Sequence, residues 1–188
     1  MTAPPDRCGT PSTHLVIIRG NSGSGKSSVA KEVRTRYGRG AALIEQDYLR
    51  RIMLGEPDQP GGAAPDLIET TVRFVLDHGH HAIVEGILHT GRYATMLRRL
   101  ITAHTGQTAV YYLDVSFAET LRRHATRPQA VEFTPEQMST WYAARDVLGV
   151  PGEQVIDESS ALSDTVDLIL ATSGLLAAPS VVHTDVPA

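Results

Sequence analysis

The stretch Gly20-Asn21-Ser22-Gly23-Ser24-Gly25-Lys26-Ser27 constrains this chain more than any other. It fits the pattern G-x-x-x-x-G-K-[ST]. It stands between the apolar run Leu15–Ile18 and a segment in which Val29, Val33 and Tyr37 recur every four residues. A strand that turns through glycines into a helix is the context this pattern requires. Glycine tolerates the backbone conformations that turn successive N–H groups inward. The helix N-terminus adds partial positive charge, which favours an anion. Lys26 can reach β- and γ-phosphates as a compact cation, and the Ser27 hydroxyl can ligate Mg²⁺. Gly20 to Ser28 are therefore read as a polyphosphate cradle. The bland alternative, a glycine-rich turn that only caps a helix, is disfavoured by the flanking strand and helix.

The rest of the chain alternates in the same way. His14–Ile18, Ala41–Ile44, Ala82–Val84, Ala109–Leu113 and Gln154–Ile156 read as buried strands. Between them, Leu67, Ile68, Val72, Val75 and Leu76 form one helical stripe, and Tyr93, Met96, Leu97, Leu100 and Ile101 another. Ser116 with Glu119 and Thr134 with Gln137 match capping boxes, with Pro135 suited to a first helical position. Leu162, Val166, Ile169 and Leu170 predict a closing helix that Gly174 ends. This alternation predicts an α/β fold with a parallel sheet covered on both faces. A chain of 188 residues suits one domain. Residues 1–13 and 175–188 read as flexible tails around a domain spanning 14–174, and Leu54–Pro65 as a mobile loop.

In motif order and spacing, residues 14–174 resemble the small P-loop kinases that phosphorylate metabolites or antibiotics. These are the gluconate and shikimate kinases, chloramphenicol phosphotransferase and, more loosely, the zeta toxins. The resemblance implies a P-loop NTPase three-layer α/β/α sandwich. Its five-stranded parallel sheet would run in the order 2-3-1-4-5, with a short lid at about 122–134. It also implies ATP and Mg²⁺ as cofactors and a hydroxylated small molecule as phosphate acceptor.

Carried over residue by residue, the resemblance places Asp47, after the second strand, opposite the acceptor hydroxyl. A carboxylate there can orient the hydroxyl and take its proton; the alternative is that Asp47 caps the short helix starting at Tyr48. Arg50 or Arg51 would bind substrate. Glu85, ending the third strand, would position the Mg²⁺ shell together with Ser27 or bind acceptor, because a buried strand seldom carries a carboxylate without a partner. His89 and Arg92 could line the acceptor pocket, although for His89 an ordinary loop position is equally compatible. Arg123 and Arg127, with Arg122, resemble lid cations that close over ATP; a solvated basic helix end is the alternative. Asp157–Ser160 would edge the adenine. Trp141, Tyr142, Arg145 and Asp146 could reach the pocket, while core packing also accounts for the aromatics. The histidines at 78, 80 and 81 are read as surface residues rather than metal ligands.

Composition narrows the classes. With 17 Lys and Arg against 21 Asp and Glu, the net charge of −4 argues against a generally basic nucleic-acid binder. The single cysteine precludes an internal disulfide and a thiolate zinc cluster. Neither a signal peptide nor a membrane span is apparent, and a cytoplasmic location is the expectation. Among P-loop functions, small-molecule phosphotransfer leads. A nucleotide switch or regulatory ATPase and a polynucleotide 5′-kinase are the other classes; the first would need a base-reading Asn-Lys-x-Asp motif if it were a GTPase, and the second stacking aromatics, which total 5% here.

Overall fold

The computed structural model describes residues 7–125 and 134–177. Five strands, β1 (His14–Gly20), β2 (Ala41–Glu45), β3 (His81–Gly86), β4 (Gln107–Asp114) and β5 (Gln154–Asp157), form one sheet. All neighbours run parallel, in the order β2-β3-β1-β4-β5. The helices are α1 (Lys26–Tyr37), α2 (Ala64–Asp77), α3 (Thr90–Ala103), α4 (Phe117–His124), α5 (Pro135–Trp141) and α6 (Leu162–Thr172). The strand period of two distributes the core between the faces. Leu15, Ile17 and Val84 pack with Ile68 and Val72 of α2 and Leu97 and Leu100 of α3. Val16, Ile18 and Ile83 pack with Val29 and Val33 of α1 and Val166 and Ile169 of α6. The architecture is a three-layer α/β/α sandwich of the P-loop NTPase type.

Side-chain caps set the starts of α3, α4 and α5. Thr134 and Gln137 form the reciprocal capping box that their spacing predicts, with Pro135 in the first turn. At α4 only half of the box forms. The Ser116 hydroxyl accepts from the Glu119 N–H, but the Glu119 carboxylate is drawn to Arg122 and Arg123, and Glu158 accepts the Ser116 N–H instead. A charge-assisted bond to guanidinium outcompetes one to a neutral amide. The chain after β2 forms a π-helical turn, Tyr48–Met53. The following irregular segment ends at Ala63, because α2 already begins at Ala64 with Pro65 in its first turn. That segment is pinned twice. The Glu56 carboxylate accepts the Ala63 and Ala64 N–H groups, and Asp58 accepts from Arg92 and the Tyr93 hydroxyl.

Two regions depart from their sequence expectation. Residues 7–13 are anchored. Cys8 is buried, its N–H donates to the Ala103 carbonyl at 3.0 Å, and the Thr13 hydroxyl meets His104 Nε2 at 3.0 Å. His81 is no surface histidine. It opens β3 at 2% exposure, edge-on to the rings of His14 and Tyr37, and its Nδ1 accepts the His14 backbone N–H. A histidine at the first residue of an interior strand is covered by its neighbours whatever its polarity.

Burial, reinforced by nearby histidines, pulls both His81 and His104 down to about 4. Their unfolded value is near 6.5, so between these limits the unfolded chain binds more protons. Each then contributes stability that is present above about pH 6.5 and lost as pH falls toward 4, up to about 3 kcal/mol apiece. Urea unfolding at a series of pH values should show the midpoint falling across this window, and a His81→Asn/His104→Asn variant should show a flatter profile.

Candidate functional site

The loop between β1 and α1 is shaped by two glycines above all. Gly23 has φ +83°, and a Cβ there would lie 2.6 Å from the Thr120 carbonyl oxygen of α4. Gly25 has φ +101° and precedes α1 as its cap, with no side chain capping the helix. The first-turn N–H groups of α1, which have no partner within the helix, are thus left for an anion. Asn21 turns inward: its side-chain amide donates to the Ala143 carbonyl and accepts the Ala143 N–H at 2.9 and 3.0 Å. Ser24 is buried, and its N–H donates to the Asn21 carbonyl.

Beside the loop lies a cavity of about 560 Å³ that brings together Ser22, Gly23, Lys26, Ser27, Ser28, Asp47, Arg51 and Glu85. His124, which the sequence reading passed over, also lines it. Glu85 is 3% exposed, and both its oxygens lie 3.1 Å from the Ser27 hydroxyl, which donates to them. Burial pushes the Glu85 carboxyl above its usual range. The Lys26 charge and the Ser27 hydroxyl oppose that push, while Glu45 and Asp47 add to it. The Glu85 carboxylate and the Ser27 hydroxyl are oxygen donors of the kind hard divalent cations take, while among the described residues no group of three His, Cys, Asp or Glu gathers as metal ligands. Asp47 occupies the cap position of the Tyr48 turn but makes no capping bond. Its Oδ1 accepts from Arg50 at 2.9 Å, and Arg50 also donates to the Glu56 carbonyl.

Other predicted residues sit elsewhere. His89 caps α3, accepting the Gly91 N–H, and Arg92 is paired with Asp58; neither lines the cavity. Gly20 lies behind the loop against Leu113, while Gly25, Ser24 and Arg123 line a second cavity of about 390 Å³. Its far wall is the chain after β5, Asp157–Ala161, and the two cavities meet at Ser28. Arg123 bridges the walls, donating to the Ser24 carbonyl at 2.9 Å and the Glu158 carbonyl at 3.0 Å. Arg127 lies outside the described residues.

A family model described as an AAA domain matches residues 15–148, from β1 past α5. The chain belongs to this family. Solved structures similar to this AAA domain include the APS kinase CysC of Mycobacterium tuberculosis in complex with AMPPNP and APS. Its TM-score is 0.64 at 18% identity, covering 89% of this chain and 99% of that one. A sugar kinase from a Janibacter species has TM-score 0.63 at 17% identity, covering 89% and 99%. A gluconokinase from Sinorhizobium meliloti has TM-score 0.56 at 21% identity, covering 90% and 94%. At such identities the likeness is one of fold. No curated protein matches the sequence.

The fold also contains a buried polar network that the sequence reading missed. Arg19, the residue before Gly20, is fully buried. Its guanidinium donates twice to the Leu88 carbonyl, pairs with Asp146 at 3.0 Å and with Glu153 at 3.4 Å, and lies over the Tyr112 ring. Asp146 in turn accepts from the Thr90 N–H and hydroxyl at the start of α3, and Glu153 accepts the Leu148 and Gly149 N–H groups. Leu88 has φ +43°, unusual without glycine, and is held by Arg19 at its carbonyl and by Gln46 at its N–H. One signal was available in the sequence: an arginine ending an otherwise apolar interior strand must find acids.

Arg19→Met should therefore cost about 3 kcal/mol or more in urea unfolding, because two carboxylates lose their buried counter-charge. Asp146→Asn, which leaves Glu153 on the guanidinium, should cost less.

Proposed function

We propose that this protein is an ATP-dependent kinase that transfers the γ-phosphoryl group to a hydroxyl of a small molecule. The observation that carries this reading is the joint lining of one cavity by Lys26 and Ser27 of the glycine loop and by the carboxylates of Asp47 and Glu85. Phosphoryl transfer asks the protein for positioning and charge more than for covalent chemistry, and these residues supply both. The loop amides and Lys26 hold the phosphate oxygens. Ser27 and Glu85 would hold Mg²⁺, which offsets the negative charge of the phosphates when bound. With its Oδ1 held by Arg50, Asp47 orients the acceptor and takes the hydroxyl proton on Oδ2. Arg51 lies on the acceptor side of the cavity. The nucleoside end of ATP occupies the second cavity, against the chain after β5.

In this reading residues 14–174 act as one domain, and about 122–134 act as a lid that carries Arg123 and Arg127 toward the phosphates. Closure would exclude water, the unwanted competitor for the phosphoryl group. The similar APS, sugar and gluconate kinases support a small-molecule acceptor.

The test is acceptor-dependent ADP release with MgATP, comparing wild type with Lys26→Ala and Asp47→Asn. Asp47→Asn should lower kcat by about 10²-fold or more while nucleotide affinity is retained; Lys26→Ala should weaken both. ADP release that ignores every acceptor and is indifferent to Asp47→Asn would point to a regulatory ATPase instead. The raised Glu85 carboxyl adds a pH signature. As pH falls, Glu85 takes its proton earlier than an ordinary carboxyl, so Mg²⁺-dependent binding of a non-hydrolysable ATP analogue should weaken on acidification. Glu85→Gln should bind Mg²⁺ poorly at every pH and lose that dependence.

A further inference from the structure

In a cavity lined mostly by polar side chains, the stretch after Asp47 is the apolar exception. Tyr48, Ile52, Met53 and Leu54 are all exposed, with Ile52 at 70%, and they lie within seven consecutive residues beside the Asp47 carboxylate. The π-helical turn brings this about: Leu49 alone of its residues packs into the core. Single exposed apolar residues are ordinary, whereas a contiguous set beside a cleft marks a contact surface. Tyr48 and Ile52 line the cavity itself.

Several polar groups just behind this stretch are held within the protein, whereas Arg51 lines the cavity. Arg50 is held by Asp47 and the Glu56 carbonyl, Gln46 Oε1 accepts the Leu88 N–H, and Arg92 and the Tyr93 hydroxyl share Asp58. A bare polyol needs a hydrogen-bond partner for each hydroxyl that leaves water, since an unpaired one is costly. Tyr48 and Ile52 present ring and aliphatic surface instead, with Arg51 between them in sequence as the polar group of this stretch.

We propose that the acceptor carries an apolar ring next to its reacting hydroxyl, and that the Tyr48–Ile52 face seats that ring while Asp47 receives the hydroxyl. The inference rests on the kinase reading of the cavity. It favours an aryl- or heteroaryl-bearing alcohol over an unsubstituted sugar or sugar acid.

The test uses pairs that differ only by a ring: glycerol against its monophenyl ether, and glucose against phenyl glucoside. Equilibrium binding is measured calorimetrically on the full chain with Mg²⁺ and a non-hydrolysable ATP analogue, and turnover is followed by ADP release. Covering roughly 60 Å² of apolar surface is worth about tenfold in affinity. The ring-bearing member of each pair should therefore bind at least about tenfold tighter. Ile52→Ser, at a position that supports no core packing, should bring its affinity to within about twofold of the ring-free member, and Tyr48→Ser should act in the same direction. Equal affinities within the pairs, no binding of the ring-bearing members at millimolar concentration, or a ring advantage that survives both substitutions overturns the proposal. So does a concentration-dependent dimer in sedimentation that Ile52→Ser abolishes, because the face would then belong to a second copy. A ring preference in binding without turnover of any acceptor would leave the seat standing and sink the kinase reading. Turnover of the polyols alone would do the reverse.

Discussion

The buried guanidinium of Arg19 is the contact on which the geometry around the glycine loop depends. A charge with no access to water must be met by opposite charge and by acceptors aimed at it. Here the partners come from three separate parts of the chain: Leu88 after β3, Asp146 after α5 and Glu153 before β5. Arg19 immediately precedes Gly20, so the start of the glycine loop, the chain leaving the Glu85 strand and the chain leaving α5 are referred to one point. Burial lowers the Arg19 pKa, with Asp146 and then Glu153 opposing that effect.

The sheet supplies the second constraint. β1 is central, with β3 and β2 on one side and β4 and β5 on the other, and every strand points the same way. The carboxyl ends of all five strands therefore open on one edge, where α/β sheets bind ligands. Gly20, Glu45, Glu85, Asp114 and Asp157 are the last or next-to-last residues of their strands. Four carboxylates crowd this edge, and the chain balances them with Lys26, Lys31 and the arginines of α4. The Lys31–Glu45 pair at 3.1 Å and the Glu119–Arg122–Arg123 cluster are the visible part of that balance.

Much of this was legible in the amino-acid order, for a specific reason. Apolar runs located the strands most clearly at β1, β3 and β4, where burial on both faces leaves few polar positions, and least clearly at the edge strand β5, where Val155 is exposed; the glycine-lysine-serine signature needs only local geometry. The strand order required the family resemblance, since periodicity carries no information about which strands are neighbours. What escaped was non-local. Nothing adjacent to Arg19 reveals Asp146 or Glu153, more than 120 positions away. His81 looked like one of three similar histidines until the start of β3 buried it. Glu119 fits a capping box by spacing, but the two arginines that take its carboxylate are decided by charge. Among the site residues, Asp47 and Glu85 were legible because strand ends are predictable, whereas His89 and Arg92 lie on a loop whose path depends on Leu88 and Asp58.

The attachments of α4 and of the chain after α5 have a mechanical consequence. Arg123 fastens α4 to the glycine loop through the Ser24 carbonyl, and Asn21 fastens the chain after α5 to the same loop through both backbone groups of Ala143. Tyr112 reinforces the second attachment, since its hydroxyl accepts the Asp146 N–H and a bond from Asn21. The chain between these points therefore leaves from and returns to the residues that form the glycine loop. A change in the loop backbone would bear on both attachments at once. Asn21 thus contributes its side chain to the position of the chain after α5 while its backbone stays in the loop, so that one residue serves both the cradle and that chain.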